Sequence, residues 1–159
     1  MLSQPEHALD PGLSSGKGTI AMRGMVRNVK EWEWIDLAKH HDGALTKLLV
    51  TRENTGAKNI DFFLSSYAPK AFAAVHSHET AEEIFYFLAG EGLFVMDGER
   101  FTVGAGTVVF VPPKTQHGIF NTGFTDLVFV VTASPPEPLW HKDNTMNLEP
   151  PGLNDARPG

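Results

Sequence analysis

Residues 70–90 read KAFAAVHSHETAEEIFYFLAG, and the way this stretch divides decides the fold. Residues 71–76 form a short apolar run, and 83–88 (EIFYFL) a second one dense in aromatic and branched side chains. Residues 77–82 between them are small or polar. Runs of this length, rich in residues that suit a pleated surface and joined by a polar connection, predict two strands that turn back on each other.

Working outward, the same kind of run recurs. Strands are expected at 45–51 (LTKLLVT), 60–67 (IDFFLSSY), 92–96, 100–103, 107–111 (TVVFV), 117–121 and 126–132 (DLVFVVT). Asp97-Gly98, Gly104 and Gly123 separate several of them. An Asp-Gly pair between apolar runs signals a tight hairpin, because a type I′ turn needs positive φ at both central residues. Only 31–40 has helical character, and Trp32, Trp34 and Ile35 would sit equally well on an edge strand. Many short strands with regular turns predict an all-β sandwich or small barrel.

The ends differ from this middle. Residues 1–18 contain Pro5, Pro11, Gly12, Gly16, Gly18 and several serines without periodicity, and are expected to form a flexible arm. The last 25 residues, 135–159, carry Pro135, Pro136, Pro138, Pro150, Pro151 and Pro158. Proline lacks a backbone donor, so this tail is expected to wrap the surface or stay irregular. The expected organisation is a flexible arm (1–18), one barrel domain (19–134) and a Pro-rich tail (135–159).

Length and composition agree: 159 residues suffice for one domain with a core, with 42% hydrophobic and 20% charged residues. A net charge of −6 and the absence of any Lys/Arg run argue against nucleic-acid or anionic-membrane binding. Cysteine is absent, which excludes disulfides, zinc-thiolate sites and thiol nucleophiles. The amino terminus does not read as a secretory signal, and no apolar run approaches the roughly 20 residues of a membrane helix. A cytoplasmic location is expected.

The chemistry sits inside the opening stretch. On a strand, residues two apart share a face, so His76 and His78 project together about 6.6 Å apart, close enough to grip one ion. Ser77 points away. Glu83 opens the next strand and can be returned to the same interior. His117 begins a later strand after the rigid Pro112-Pro113 segment. Three imidazoles and a carboxylate suit a divalent metal, and in an octahedral ion they leave two positions for water, substrate or dioxygen. His7, His40, His41 and His141 lie outside these runs and are expected to be solvated, although the tail could carry His141 over a barrel mouth.

With these residues in view, the chain resembles the cupin superfamily. That family's first motif runs glycine, five residues, His-X-His, three or four residues, glutamate, six residues, glycine; Lys70 to Gly90 follows it. The second runs glycine, five residues, Pro-X-Gly, two residues, histidine, three residues, asparagine; GTVVFVPPKTQHGIFN, Gly106 to Asn121, follows it. Two positions depart. Lys70 and Lys114 stand where the family often has glycine, in predicted turns, which bears on local backbone conformation more than on metal binding. Glu82 and Glu83 both satisfy the motif's first spacing, but only Glu83 leaves six residues before Gly90 and shares inward parity with Phe85 and Phe87. Asn121 is expected to be a structural hydrogen-bonding residue.

The resemblance, over about residues 40–133, implies a double-stranded β-helix (jelly-roll) barrel with irregular arms. It implies one divalent metal on His76, His78, Glu83 and His117, with Fe(II) favoured and Zn, Mn, Ni or Cu as alternatives. Inward parity predicts a substrate pocket walled by Phe72, Ala74, Phe85, Phe87 and Ile119. Such a wall suits an apolar or aromatic molecule, the expected substrate is a small oxygenated organic compound, and the absence of an arginine or lysine clamp disfavours phosphorylated sugars. The expected function is a mononuclear non-haem dioxygenase. The alternatives are a non-redox metal-dependent isomerase, lyase or polyketide-type cyclase, and a small-molecule-binding cupin without turnover. The non-redox alternative needs a general base, for which Glu83 released from the metal, His41 or a metal-bound hydroxide are the candidates. A homodimer is expected, with the segment MVRNVKEWEWIDL either pairing with a neighbour's sheet edge or covering its own barrel.

Overall fold

The computed structural model describes residue 22 and residues 24–137; the flexible-arm expectation and His7 and His141 lie outside them. Among the described residues the strands are β1 (Ile35–Asp36), β2 (His40–His41), β3 (Ala44–Val50), β4 (Asp61–Tyr67), β5 (Phe72–His76) and β6 (Glu82–Ala89). They continue with β7 (Glu91–Met96), β8 (Glu99–Gly104), β9 (Val108–Val111), β10 (His117–Phe120) and β11 (Leu127–Ser134). One sheet has the order β1-β3-β4-β11-β6-β9 and the other β2-β5-β10-β7-β8, with every recorded pairing antiparallel. The two sheets face each other as a jelly roll.

The predicted strands are all present with ends shifted by one or two residues. The segment 31–40 is not helical. A single capped 3-10 turn (Val29–Glu31) precedes it, and β1 then pairs with the chain's own β3, Ile35 opposite Thr46 and Asp36 opposite Leu45. This places the segment over its own barrel. Lys47 anchors it by donating to the Val29 carbonyl at 2.8 Å and lying 4.8 Å above the Trp34 ring. A one-turn helix, α1 (Arg52–Thr55), capped by Thr51 and ended by left-handed Gly56, bridges β3 and β4.

Between the sheets Phe85, Phe87, Phe94, Leu127, Phe129, Val103 and Val111 are almost completely buried. Each such side chain contributes about 1.5–3 kcal/mol by leaving water. Strand β6 shows the alternation most clearly, with Glu83, Phe85 and Phe87 inside and Ile84, Tyr86 and Leu88 outside. The outside residues join Val108 and Phe110 of the edge strand β9 in an exposed apolar face.

The turns follow their chemistry. Asp97 and Gly98 both have positive φ (48° and 83°), as the hairpin between β7 and β8 requires. Lys70 and Lys114 adopt φ of 74° and 67°, the left-handed conformation for which glycine is the usual residue. The backbone therefore keeps the family's turn and carries a cost of about 1–2 kcal/mol at each lysine. At Gly90 (φ 81°) no other residue fits, because a Cβ would strike the Asp126 carbonyl. Asn121 is structural as expected: its amide donates to the carbonyls of Tyr67 (2.7 Å) and Thr125 (2.8 Å), and its oxygen accepts from the Gly123 amide (2.9 Å).

Candidate metal centre

Strands β5, β10 and β6 bring the four predicted ligands to one place. His117 pairs directly with His76 across β5 and β10, and Glu83 reaches them from the opposite sheet. Ring centroids of His76 and His117 are 4.4 Å apart, and one nitrogen from each of His76, His78 and His117 lies within 4.8 Å of the others. Shifts well under ~1 Å bring such nitrogens within bonding reach of one ion. Glu83 Oε2 lies 2.8 Å from His117 Nε2, and Glu83 Oε1 lies 3.3 Å from His78 Nε2. Glu82 is exposed and takes no part.

The hydrogen bonds behind these side chains settle which nitrogen faces inward. His76 Nδ1 donates to the Ala74 carbonyl at 2.7 Å and His117 Nδ1 to the Thr115 carbonyl at 3.0 Å. His78 Nδ1 donates to Glu137 Oε2 at 3.2 Å. Fixing the proton on Nδ1 puts the lone pair on Nε2 in each ring, the arrangement of a metal-ligating histidine with its supporting partner. Glu83 Oε2 and His117 Nε2 are buried and neither makes a well-aligned hydrogen bond. Two unsatisfied atoms this close cost several kcal/mol in a closed interior unless a cation joins them. The residues therefore fit a divalent metal.

Electrostatics agree. Burial alone raises the pKa of Glu83, but hydrogen bonding and charge from the His117 and His78 rings, which a proton on Nε2 supplies where no cation does, outweigh it and hold the carboxyl far below the usual range. Burial, with the neighbouring His117, pushes His76 well below its ordinary value, so its imidazole is neutral and available as a ligand. For His78 burial works downward, while Glu83 and Glu137 together raise it.

Glu137 was not anticipated. Its Oε1 accepts from the amides of Thr80 (2.6 Å) and Ala81 (3.0 Å) and from the Thr80 hydroxyl (2.9 Å), while Oε2 takes the His78 proton. It thus fastens the segment after β11 to the loop carrying His78. The only sequence signal was one acid among the prolines of a segment expected to wrap the surface.

A cavity of about 100 Å3 adjoins the cluster. Phe85 and Ile119 line it. Phe72, Ala74 and Phe87 are not among its lining residues, and two different causes account for this. In β5 the register slips: His76 faces His117 but Ala73, not Ala74, faces Ile119. This bulge inverts parity upstream of His76, so Ala73 lines the cavity and Phe72 turns outward against Phe120 and His41. Phe87 does point inward, but it packs behind Phe129, which lines the cavity where Phe87 does not.

The far wall is more polar than expected. His40, Thr46, Asp61, Ser65 and Tyr67 all line it. His40 was expected in solvent, yet burial lowers its pKa to about 4, and its ring meets the Tyr67 hydroxyl at 3.4 Å. His41 is exposed and stacks on Phe72, so it does not reach the cavity. Among the described lining residues there is no lysine or arginine.

Comparison with known proteins agrees with this architecture. Residues 63–133 match the family model described as a cupin domain. An uncharacterised protein from Methanocaldococcus jannaschii is 44% identical over 62 residues, covering 39% of this chain and 50% of its own length. The chain thus spans about half of that relative. The oxalate-binding protein of Thermotoga maritima is 37% identical over 82 residues, covering 52% of this chain and 68% of its own. The crystal structure of a predicted oxalate decarboxylase from Thermotoga maritima is 31% identical and superimposes with a TM-score of 0.62, covering 69% of this chain and 98% of that one. On the strength of the shared motifs, the shared barrel and these relatives, the chain belongs to the cupin superfamily.

Proposed function

We propose that the protein is a metal-dependent enzyme acting on a small oxygenated acid or enolisable carbonyl compound. The carrying observation is that four converging donor side chains, two with buried unsatisfied atoms, border a cavity of about 100 Å3. A cavity of that size suits a molecule of a few carbon atoms, smaller than benzene's engineered 150 Å3 site. The oxalate-binding relative supports the same substrate size.

A divalent ion on His76, His78, Glu83 and His117 supplies Lewis acidity and, as iron, chemistry with dioxygen. The chain's own residues do the rest. The Nδ1–H groups hold the three rings in one tautomer, and Glu83 supplies the negative charge. Phe63, Phe85, Ile119, Phe129 and Val131 keep bulk water from the bound molecule. Without a basic clamp, an anionic substrate relies on the ion for its charge, which disfavours phosphorylated compounds.

Dioxygenation with Fe(II) is the first reading of the reaction class. The second is a non-redox isomerase, lyase or cyclase reaction, and Asp61 in the cavity wall favours it by offering a base that is not among the candidates the sequence suggested. Anaerobic turnover separates them. Fe(II)-loaded protein that consumes small keto acids or dicarbonyls without oxygen uptake sinks the first, and zinc-loaded protein without activity sinks the second. A non-catalytic binding role is supported only if a saturating ligand is recovered unchanged.

We also propose a second copy of this chain as partner. The surface that favours it is the outer face of β6 and β9, where Val108 and Phe110 are more than half exposed. A gel-filtration mass near 17.4 kDa would remove this idea.

A further inference from the structure

Asp61, at the start of β4, puts a carboxylate in the cavity wall. Only 3% of the residue is exposed, it lines the cavity, and no hydrogen bond or ion pair within the described residues reaches its carboxylate. Its position in the sheet is set by register. Asp61 pairs with Ala133 of β11, and Ala133 pairs on its other side with Glu83 of β6. The three form one inward-facing row. Two strand spacings separate the Asp61 and Glu83 backbones, about 10 Å. Ala133, with only a methyl group between them, leaves that gap open.

The surroundings of Asp61 explain why it is unpaired. Arg52 and Glu53 of α1 act on it from outside with opposite sign, and Arg52 does not approach within ion-pair distance. The titratable groups that share the cavity lining with it are Glu83, Glu137, His40, the three histidines of the cluster and, on its own strand, Tyr67, while β11 contributes only the apolar Phe129, Val131 and Ala133. A carboxylate on a residue this buried, with no partner among the described residues, is costly to ionise, and nothing in the packing of β4 requires one. Desolvation, with Glu53 adding to it, raises its pKa to about 6, near the working range of a general base.

We propose that Asp61 is the proton-transfer residue of the cavity, taking a proton from the carbon beside a substrate carbonyl held between it and the four-residue cluster. The proposal rests on the metal-dependent reading of that cluster. In the step, the C–H bond breaks, its electron pair forms the enolate C=C bond as the carbonyl pair moves to oxygen, and the proton forms an O–H bond on Asp61. Return of a proton from Asp61 to the same or a neighbouring carbon completes a balanced exchange with no oxidant or reductant.

The test uses pyruvate, an enolisable keto acid small enough for the cavity, in D2O with zinc-loaded full-length protein. Loss of the methyl proton signal by NMR reports exchange, and zinc affinity is measured separately by competition with a chromophoric chelator. Wild-type protein should catalyse exchange with a rate that rises across pH 6, zinc occupancy being checked at each pH. Asp61→Asn should slow exchange roughly 100-fold or more while zinc affinity stays within about twofold, and Asp61→Glu should restore part of the rate. Equal exchange in Asp61→Asn, no exchange by zinc-loaded wild type, or a rate flat from pH 4.5 to 7.5 overturns the role of Asp61 with the metal centre intact. Failure of the wild type to bind zinc overturns both readings.

Discussion

Glu83 and Asp61 are two carboxylates on one row of one sheet, facing the same cavity from either side of Ala133. Their environments drive them apart. Burial raises the pKa of both, but at Glu83 two imidazoles reverse the effect, whereas at Asp61 only the more distant Arg52 opposes it and does not prevail. The lesson is that position on the fold does not assign a role to an acid; the partners within hydrogen-bonding reach do. One wall of the cavity is built to hold a cation, and the other to hold or release a proton.

The strongest way to break this contrast is to remove each acid and titrate the metal. Glu83→Ala and His78→Ala should weaken Co(II) or Zn(II) binding by about 1000-fold or more, roughly 4 kcal/mol, in a competition titration. Asp61→Ala should leave the affinity within about threefold. Comparable losses from Asp61 and Glu83 would erase the distinction between the walls. Next in size is the support behind the metal wall. Glu137→Gln keeps the shape of the group but loses the charge that receives the His78 proton, and should lower metal affinity about 10- to 100-fold. An unchanged dissociation constant would reduce Glu137 to a loop fastener.

The gap itself can be filled. Ala133→Leu should place bulk between the two acids, slow pyruvate exchange about tenfold or more, and cost about 1–3 kcal/mol in denaturant unfolding, with metal binding retained. Full exchange activity in this variant would show that substrate does not span the row. The smallest effect is thermodynamic. Because the folded pKa of Asp61 is raised from 3.8 to about 6, the unfolded chain ionises first as pH rises. The folded state is therefore penalised progressively between pH 4 and 6 and fully above that. Solvent entering the cavity screens the charge, so Asp61→Asn should gain roughly 1 kcal/mol at pH 7 and nothing at pH 3.5. A gain that persists at pH 3.5 would mean that ionisation is not its source.

Much of this was legible in the sequence, for physical reasons that differ between strands. On β6 the period of two is unbroken, so parity, with the six-residue spacing to Gly90, pointed to Glu83 and Phe85 as inward and Glu82 as outward. On β5 the same counting failed above His76, because a bulge adds a residue without changing composition and leaves no mark in an AFAAV run. Asp61 was hidden by symmetry of a different kind. Phe62 and Leu64 on one face of β4 are as apolar as Phe63 and Tyr67 on the other, so hydrophobicity could not say which face was interior. His40 sits on a two-residue strand, too short for any period. Glu137 was masked by the prolines around it, which announce an irregular path but not where that path leads.

The link from Glu137 to His78 also makes the metal and the chain beyond β11 into coupled equilibria. If loading the cluster stiffens the His78 ring and strengthens its bond to Glu137, reciprocity demands that a docked Glu137 tighten the metal by the same factor. The amides of Thr80 and Ala81, which Glu137 covers, report on that docking directly. Their hydrogen exchange should slow on adding metal to the wild type and stay fast in Glu137→Gln. Four hydrogen bonds at the edge of the barrel would then act as a gauge of how full its centre is.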